Sequence, residues 1–215
     1  MRRELFHALQ ESCHPVAFTG AGISAPSGIP TFDMQWKGMP VRDFLSREYF
    51  SSDPLGFFEL FSVMAAWRNQ QPNAAHLALA RLGLPVITQN VDGLHQKAGS
   101  SKVIELHGNA AMLRCRACGH SEDSRLLVGA LPEELDRLVY CRVCNSLFDI
   151  DVVLYGDPLR DWEQAVAETM QADLLLVIGS SLTTYPANQL PELAEHNGAR
   201  VIAINKDCER VLEDL

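Results

Sequence analysis

Apolar positions along the chain change rhythm repeatedly, and each change predicts an element. Short, nearly unbroken apolar runs at residues 16–19, 85–88, 103–106, 152–155, 174–178 and 200–204 have the length of strands covered on both faces. Between them the spacing turns helical. Leu5, Phe6 and Leu9 mark a helix over residues 3–10. Asp53 and Pro54 supply an N-cap and a first-turn proline to a helix whose stripe is Phe57, Phe58, Leu60, Phe61 and Met64. Asn73 caps the next, which holds Leu77, Leu79, Ala80 and Leu82 and stops at Gly83. Residues 93–98, 160–171 and 187–196 complete the helical set.

Strands alternating with helices predict an α/β fold with a parallel sheet covered on both faces. Ligands in such sheets sit beyond the carboxyl ends of the strands, and residues 20–25, 89–92, 105–108, 179–184 and 205–207 all fall there. Gly20-x-Gly22-x-x-Ala25 follows the first strand and has the form of a dinucleotide-binding turn, in which missing side chains let backbone N–H groups approach a pyrophosphate. The same glycines also fit a plain tight turn, and Ser27-Gly28-Ile29-Pro30 interrupts the helix that a dinucleotide turn normally opens. Residues 111–150 carry four cysteines and little periodicity, which reads as an inserted module.

Composition narrows the possibilities. The chain has 215 residues, enough for one sizeable core plus a satellite. Its 18 Lys and Arg stand against 27 Asp and Glu, a formal net charge of -9 that disfavours nucleic acid as a partner. No apolar run nears the roughly 20 residues of a bilayer span, and no apolar stretch follows Arg2 and Arg3 as in a secretory leader. The expectation is a cytoplasmic protein with no membrane partner, whose cysteines are read as metal ligands before disulfides. Cys115-x-x-Cys118 and Cys141-x-x-Cys144 form two knuckles that would close a tetrahedral, structural zinc site with no open position for a catalytic water. Cys13 and Cys208 stand alone and read as small buried hydrophobes, and Arg114, Arg116 and Arg142 are a thin basic set.

The predicted loops carry the remaining chemistry. Gln89, Asn90 and Asp92 put two amides and a carboxylate at one strand end, able to bind ribose hydroxyls and a carboxamide or simply to cap the next helix. His107 ends the following strand, with Gly108 behind it to let a substrate approach; such a histidine can take a proton from a sugar hydroxyl, and a lone one is more often structural. Ser180, Ser181 and Thr183 after Gly179 offer hydroxyls, and Asn205 an amide.

Together, Gly20-Ala21-Gly22-Ile23-Ser24, Gly28-Ile29-Pro30-x-Phe32, the run from Thr88 through Gln89-Asn90-Val91-Asp92 to Gly93-Leu94-His95, Glu105-Leu106-His107-Gly108, both knuckles, the run from Val152 to Asp157 and Gly179-Ser180-Ser181-Leu182 resemble the sirtuins, in that family's order over residues 16–207. The resemblance implies NAD-dependent protein lysine deacylation, with NAD and an acyl-lysine protein or peptide entering a cleft between two domains. The larger, Rossmann-like domain would hold residues 1–33, 84–110 and 151–215. The smaller would combine a helical insertion, 34–83, with the zinc module, 111–150. His107 would be the general base, acting on the ribose after the acyl oxygen has displaced nicotinamide. Asn90 and Asp92 would hold the carboxamide and ribose, and Gln89 would touch the ribose. Gly20, Ala21, Gly22, Ser24, Phe32, Gly179, Ser180, Ser181 and Asn205 would complete the NAD site. Free lysine, nicotinamide and O-acyl-ADP-ribose would leave. The peptide would add as a strand beside Val153, Leu154, Tyr155 and Gly156. Desuccinylating members carry a Tyr-x-x-Arg pair; the matching Phe61-x-x-Met64 has no charge, which implies acetyl or longer apolar acyl groups. ADP-ribosyl transfer, NAD hydrolysis and non-catalytic NAD sensing remain as alternatives.

Three departures bear on this picture. The family usually reads Gly-Ile-Pro-Asp-Phe-Arg where this chain reads Gly28-Ile29-Pro30-Thr31-Phe32-Asp33. A carboxylate about 5 Å from a phosphate would cost roughly 3 kcal/mol at an effective dielectric of about 20, so Asp33 must point away, with Lys37 the nearest replacement cation. Only Met34 and Gln35 separate Asp33 from Trp36, a shorter loop than the family's. Beyond Asn205, Val211, Leu212 and Leu215 stand where the family continues into a further strand and helix around the adenine.

Overall fold

A computed structural model describes residues 2–31 and 34–213; Phe32, Asp33 and Leu215 lie outside the described residues. In chain order, α1 (Arg2–Glu11) leads into β1 (Pro15–Thr19), two short 3-10 turns (Ala21–Ile23, Ala25–Ser27) and the hairpin β2 (Gln35–Trp36) and β3 (Met39–Pro40). Helices α2 (Val41–Phe44), α3 (Arg47–Ser52), α4 (Pro54–Trp67) and α5 (Ala74–Arg81) precede β4 (Val86–Thr88), α6 (Leu94–Ala98) and β5 (Val103–Glu105). Then come β6 (Gly108–Arg114), β7 (Ser121–Asp123), α7 (Pro132–Leu138) and β8 (Asp149–Val152). The chain closes with α8 (Trp162–Gln171), β9 (Leu174–Ile178), α9 (Leu190–His196), β10 (Arg200–Ile204) and α10 (Cys208–Leu212).

Five parallel strands form a Rossmann-like sheet in the order β10-β9-β1-β4-β5. Its faces separate by the two-residue period of a strand. Ala17, Val86, Leu174, Leu176 and Ile178 pack on one side with Leu5 of α1, Ala75 and Leu79 of α5 and Leu212 of α10. Val16, Phe18, Ile87, Leu175 and Val177 pack on the other with Ala165 of α8 and Leu190 and Ala194 of α9. From β1 the chain builds outward through β4 and β5, then returns to β1's other edge with β9, so a crevice opens beyond the ends of β1 and β9.

A second core joins α2, α3 and α4 to a three-stranded antiparallel sheet, β7-β6-β8. Phe50, Phe57, Phe58 and Phe61 interlock there, and Met34 and Trp36 dock the β2–β3 hairpin against the same core. The expected caps form: Asp53 accepts from the Gly56 N–H at 3.0 Å and Asn73 from the Ala75 N–H at 3.0 Å.

The strand expected over 152–155 is β8, three residues earlier, because Leu113 and Arg114 of β6 pair with Ile150 and Asp149, while Tyr155 leaves to bridge Ser46. Helix α5, within the stretch read as the helical insertion, packs against the parallel sheet. Cys208 is buried as expected but Cys13 is exposed, its N–H held by Asp173 at 2.6 Å.

Candidate active site and metal centre

The loops after β1 and β9 meet backbone to backbone. A Cβ on Gly20 would lie 2.9 Å from the Gly179 carbonyl oxygen, one on Gly22 2.8 Å from the same atom, and one on Gly179 2.2 Å from the Ile23 nitrogen. The N–H groups of Gly20 and Gly22 donate to the carbonyls of Ile178 and Gly179, at 3.0 and 2.8 Å. These glycines therefore exist for loop-on-loop contact; their donors are not free for a pyrophosphate, as the turn pattern implied. Gly108 is similar: a Cβ would stand 2.1 Å from the Asp151 carbonyl oxygen, so its need is the close approach of β8.

Over this platform runs a network of buried polar groups. Ser24 Oγ donates to Asp92 Oδ2 at 2.7 Å and accepts from Asn90 Nδ2 at 3.2 Å. Asn90 Nδ2 also reaches the Gly20 carbonyl at 3.2 Å, while Asn90 Oδ1 is buried without a partner. Asp92 Oδ1 accepts from the Leu94 N–H at 2.9 Å. Burial raises the Asp92 pKa, opposed by its bonds from Leu94 and Ser24. Ser180 Oγ donates to Gln89 Oε1 at 2.8 Å, and the Ser180 N–H donates to Asn205 Oδ1 at 3.1 Å. Four of the predicted loops are thereby tied together.

His107 Nδ1 lies 2.9 Å from the Gln89 carbonyl oxygen. A carbonyl only accepts, so Nδ1 carries the proton and Nε2 of the neutral ring keeps its lone pair. Burial holds the His107 pKa below the ordinary imidazole value, against the opposing pull of that bond. A neutral imidazole with a free Nε2 is a base at neutral pH. The histidine is thereby anchored to the main chain of the residue preceding Asn90.

Beneath lie residues to which the sequence assigned no role. The His76 and His95 rings lie 4.9 Å apart, tilted at 58°, the first reaching Ser24 Oγ at 3.4 Å and the second Thr19 Oγ1 at 2.9 Å. Thr19 bonds Thr88, which accepts the Asn90 N–H at 3.0 Å. Burial pushes the His76 pKa down to about 4, and burial together with His76 holds His95 well below its usual value. The available signal was polar residues ending buried strands, Thr19 and Thr88, and histidines on the helices beside them.

Other candidates separate. Ser181 is exposed and bonds Thr183 at 3.0 Å. Lys37 is ion-paired with Glu59 of α4. Val211 and Leu212 pack beneath the sheet with α5. Phe61 and Met64, expected beside the acyl tail, are 0% and 1% exposed and lie in the core shared by α4 and the three-stranded sheet. Val153 is half-buried beside His107, its N–H on the His107 carbonyl at 2.8 Å, and Gly156 is exposed.

The knuckles share one fold. Cys115 N–H bonds the His120 carbonyl at 2.8 Å and Gly119 N–H returns to Cys115 at 2.9 Å; Cys141 and Ser146, then Asn145 and Cys141, repeat this at 2.8 and 2.7 Å. Gly119 and Asn145 both take positive φ, 76° and 58°. The four sulfurs lie within 4.8 Å of one another, with Cys115 to Cys144 at 3.4 Å and Cys118 to Cys141 at 3.7 Å. Tetrahedral zinc with bonds of about 2.3 Å needs sulfurs about 3.8 Å apart, so the cluster fits it.

A Rossmann-like sheet that carries a four-thiolate module within its chain defines a class of protein, and similarity to known proteins assigns the family. The Sir2 family model matches residues 20–186. An NAD-dependent protein deacetylase of Sulfolobus acidocaldarius is 43% identical over 212 residues, 94% of this chain and 83% of that protein. A solved complex of a mutant Sir2 homologue with 2'-O-acetyl ADP ribose superposes at TM-score 0.89 with 32% identity, over 100% of this chain and 94% of the other. A Sir2 complex with a p53 peptide and NAD+ does so at 0.86 with 32% identity, over 100% and 96%. The chain belongs to the Sir2 family. Among the described residues no helix is long and apolar enough to cross a membrane.

Proposed function

We propose that this protein is an NAD-dependent protein lysine deacylase acting on acetyl or longer apolar acyl groups. The observation that carries the reading is the neutral His107, whose Nδ1 proton is fixed on the Gln89 carbonyl while Nε2 stays available. The deacetylase and deacylase relatives named at about 40% identity support the same activity.

The residues fit NAD. Asn90 Oδ1 is a buried acceptor awaiting a donor, the role a carboxamide or ribose hydroxyl fills. Asn90, Asp92 and Gln89 would hold the nicotinamide riboside, and Ala21, Ser24, Ser180 and Asn205 would line the phosphate and adenosine side. When bound, NAD supplies the sugar carbon that takes the acyl oxygen as nicotinamide leaves. His107 Nε2 then removes a ribose hydroxyl proton, with the Gln89 carbonyl stabilising the charged ring. The acyl-lysine peptide would lie along residues 153–156, where neither the Val153 carbonyl nor the Gly156 N–H has a partner among the described residues. Cys115, Cys118, Cys141 and Cys144 would hold a structural zinc ion, and a reducing compartment, the cytoplasm, would keep those thiols available.

The test is turnover of NAD with an acetyl-lysine peptide, followed by mass spectrometry. O-acetyl-ADP-ribose is expected, and His107→Ala should lower kcat by 10²-fold or more without changing the melting temperature by more than a few degrees. Free ADP-ribose or modified protein in its place, or full activity in the variant, would overturn the assignment.

A further inference from the structure

On the function proposed above, the peptide platform is a short turn, and one arginine from the helical insertion holds it. The Asp157 N–H donates to the Leu154 carbonyl at 2.9 Å, closing a turn with Gly156 at its third position and φ 98°. Asp157 Oδ2 accepts the Leu154 N–H at 3.2 Å, so both Leu154 main-chain groups face inward. Both Tyr155 main-chain groups are likewise engaged, its N–H on the Leu45 carbonyl at 2.8 Å and its carbonyl by the Arg47 N–H at 3.0 Å. What remains for a peptide over residues 153–156 is the Val153 carbonyl and both main-chain groups of Gly156. Pro158, two residues on, has no N–H to add.

Arg47 grips this turn from the side. Its Nε and Nη2 take the two Asp157 oxygens at 3.1 and 2.6 Å, and its Nη1 takes Asp149 Oδ1 at 3.0 Å, at the start of β8. The guanidinium lies 5.1 Å from the centre of the Phe50 ring. Its side chain is 29% exposed and those of Asp149 and Asp157 are 11% and 23% exposed, so this pair is sheltered as few others on the molecule are. A planar fork bound at both oxygens of one carboxylate and at a second carboxylate fixes position, which a lysine's point charge does not.

We infer that Arg47 is a positioning residue for the acyl-lysine peptide: through Asp157 it sets the 154–157 turn so that the Val153 carbonyl and Gly156 N–H stand in register for the substrate main chain. It touches neither NAD nor the acyl group. It links the fold of the helical insertion to peptide recognition.

The experiment compares steady-state kinetics on an acetyl-lysine peptide and on free Nε-acetyl-lysine, which lacks flanking main chain, at saturating NAD. Arg47→Gln should raise KM for the peptide about tenfold, about 1.4 kcal/mol. The KM for NAD and kcat/KM for free acetyl-lysine should stay within twofold. Arg47→Lys should fall between. If Arg47→Gln folds poorly, the double variant Arg47→Gln/Asp157→Asn, which leaves no bare charge at 157, should fold and recover part of the peptide KM. Equal effects on peptide and free acetyl-lysine, or none on either, would overturn the inference. Absence of turnover by the wild-type enzyme on both substrates would instead overturn the function on which it rests.

Discussion

Beyond the ends of the parallel sheet, Thr19, Ser24, His76, Thr88, Gln89, Asn90, His95 and Ser180 are joined by uncharged hydrogen bonds, with Asp92 the network's carboxylate. Across the three-stranded sheet the ties are ionic: Arg68 to Asp123, Arg114 and Arg160 to Asp151, Arg116 to Asp149, Arg142 to Glu122. The difference follows from where each half keeps its polar groups. Five strands covered on both faces make a core in which polar groups are locked by the backbone around them. The strands of three to seven residues in the other sheet share a core with α2, α3 and α4, and their charged side chains, outside that core, meet arginines at its rim. The ion pairs add little to it. Arg114, Arg116 and Arg142 are 54%, 76% and 73% exposed, and pairs of that kind contribute about 0 to 1 kcal/mol each. The knuckles lie at the edge of that core, with Cys118 and Cys144 exposed, and there the metal would be the main tie.

Removing zinc is the sharpest way to break the comparison. Structural zinc sites bind with an apparent 10–16 kcal/mol, roughly ten times a surface ion pair. Exhaustive chelation, or Cys118→Ser, should abolish hydrogen-exchange protection in β6, β8 and α7 while β1, β4 and β9 remain protected far longer. A melting curve and exchange pattern unchanged after metal analysis confirms removal would show that the ion pairs and the small core suffice.

Adding a methyl group tests the other half. Gly179→Ala places a Cβ 2.2 Å from the Ile23 nitrogen at φ 62°, with rigid backbone on both sides. The expected loss is at least about 3 kcal/mol in urea unfolding. Gly119→Ala, in the first zinc knuckle at φ 76°, meets nothing within 4 Å and should cost about 1 kcal/mol, the left-handed backbone alone. Equal costs would mean that the β1 and β9 loops yield more than their contacts imply.

Much of this was legible in advance, and the exceptions have physical causes. Leu174–Ile178 and its neighbours announced themselves because strands buried on both faces are unbroken apolar runs. The four cysteines did so because metal geometry dictates their spacing. Strand β8 was displaced in the reading because Asp149 and Asp151 sit inside it; only their arginine partners, remote in sequence, make a charged strand tolerable. The close approaches at Gly20, Gly22 and Gly108 were not legible for a related reason. What forbids a side chain there is the backbone of Gly179 and Ser180 or of Asp151, which no local pattern reveals. His76 and His95 escaped notice because their partners, Ser24 and Thr19, lie over fifty residues away.

The finest test of the comparison is acid. His76 has its pKa lowered from 6.5 to about 4, so the unfolded chain binds protons that the folded chain refuses. Its contribution to stability is complete above the ordinary imidazole pKa and declines as pH falls from there toward about 4; His95, also lowered, acts in the same direction. Asp92 opposes them, because its raised pKa makes its burial penalty lessen as pH falls toward the ordinary carboxylate value. A shift of this size corresponds to about 3 kcal/mol, and relaxation around the charged ring should leave about 2. Zinc release also destabilises the protein in acid, so the informative quantity is a difference. Unfolding free energies of wild type and His76→Gln, measured at pH 7.5, 6.5, 5.5 and 4.5, should converge as the pH drops, the wild type losing about 2 kcal/mol more than the variant. The excess opening should appear by hydrogen exchange in α5 and α6, which carry the two histidines. Parallel curves would mean that the imidazole pair charges without disturbing the loops above it, and that the sheet half is no more sensitive to protonation than the module it carries.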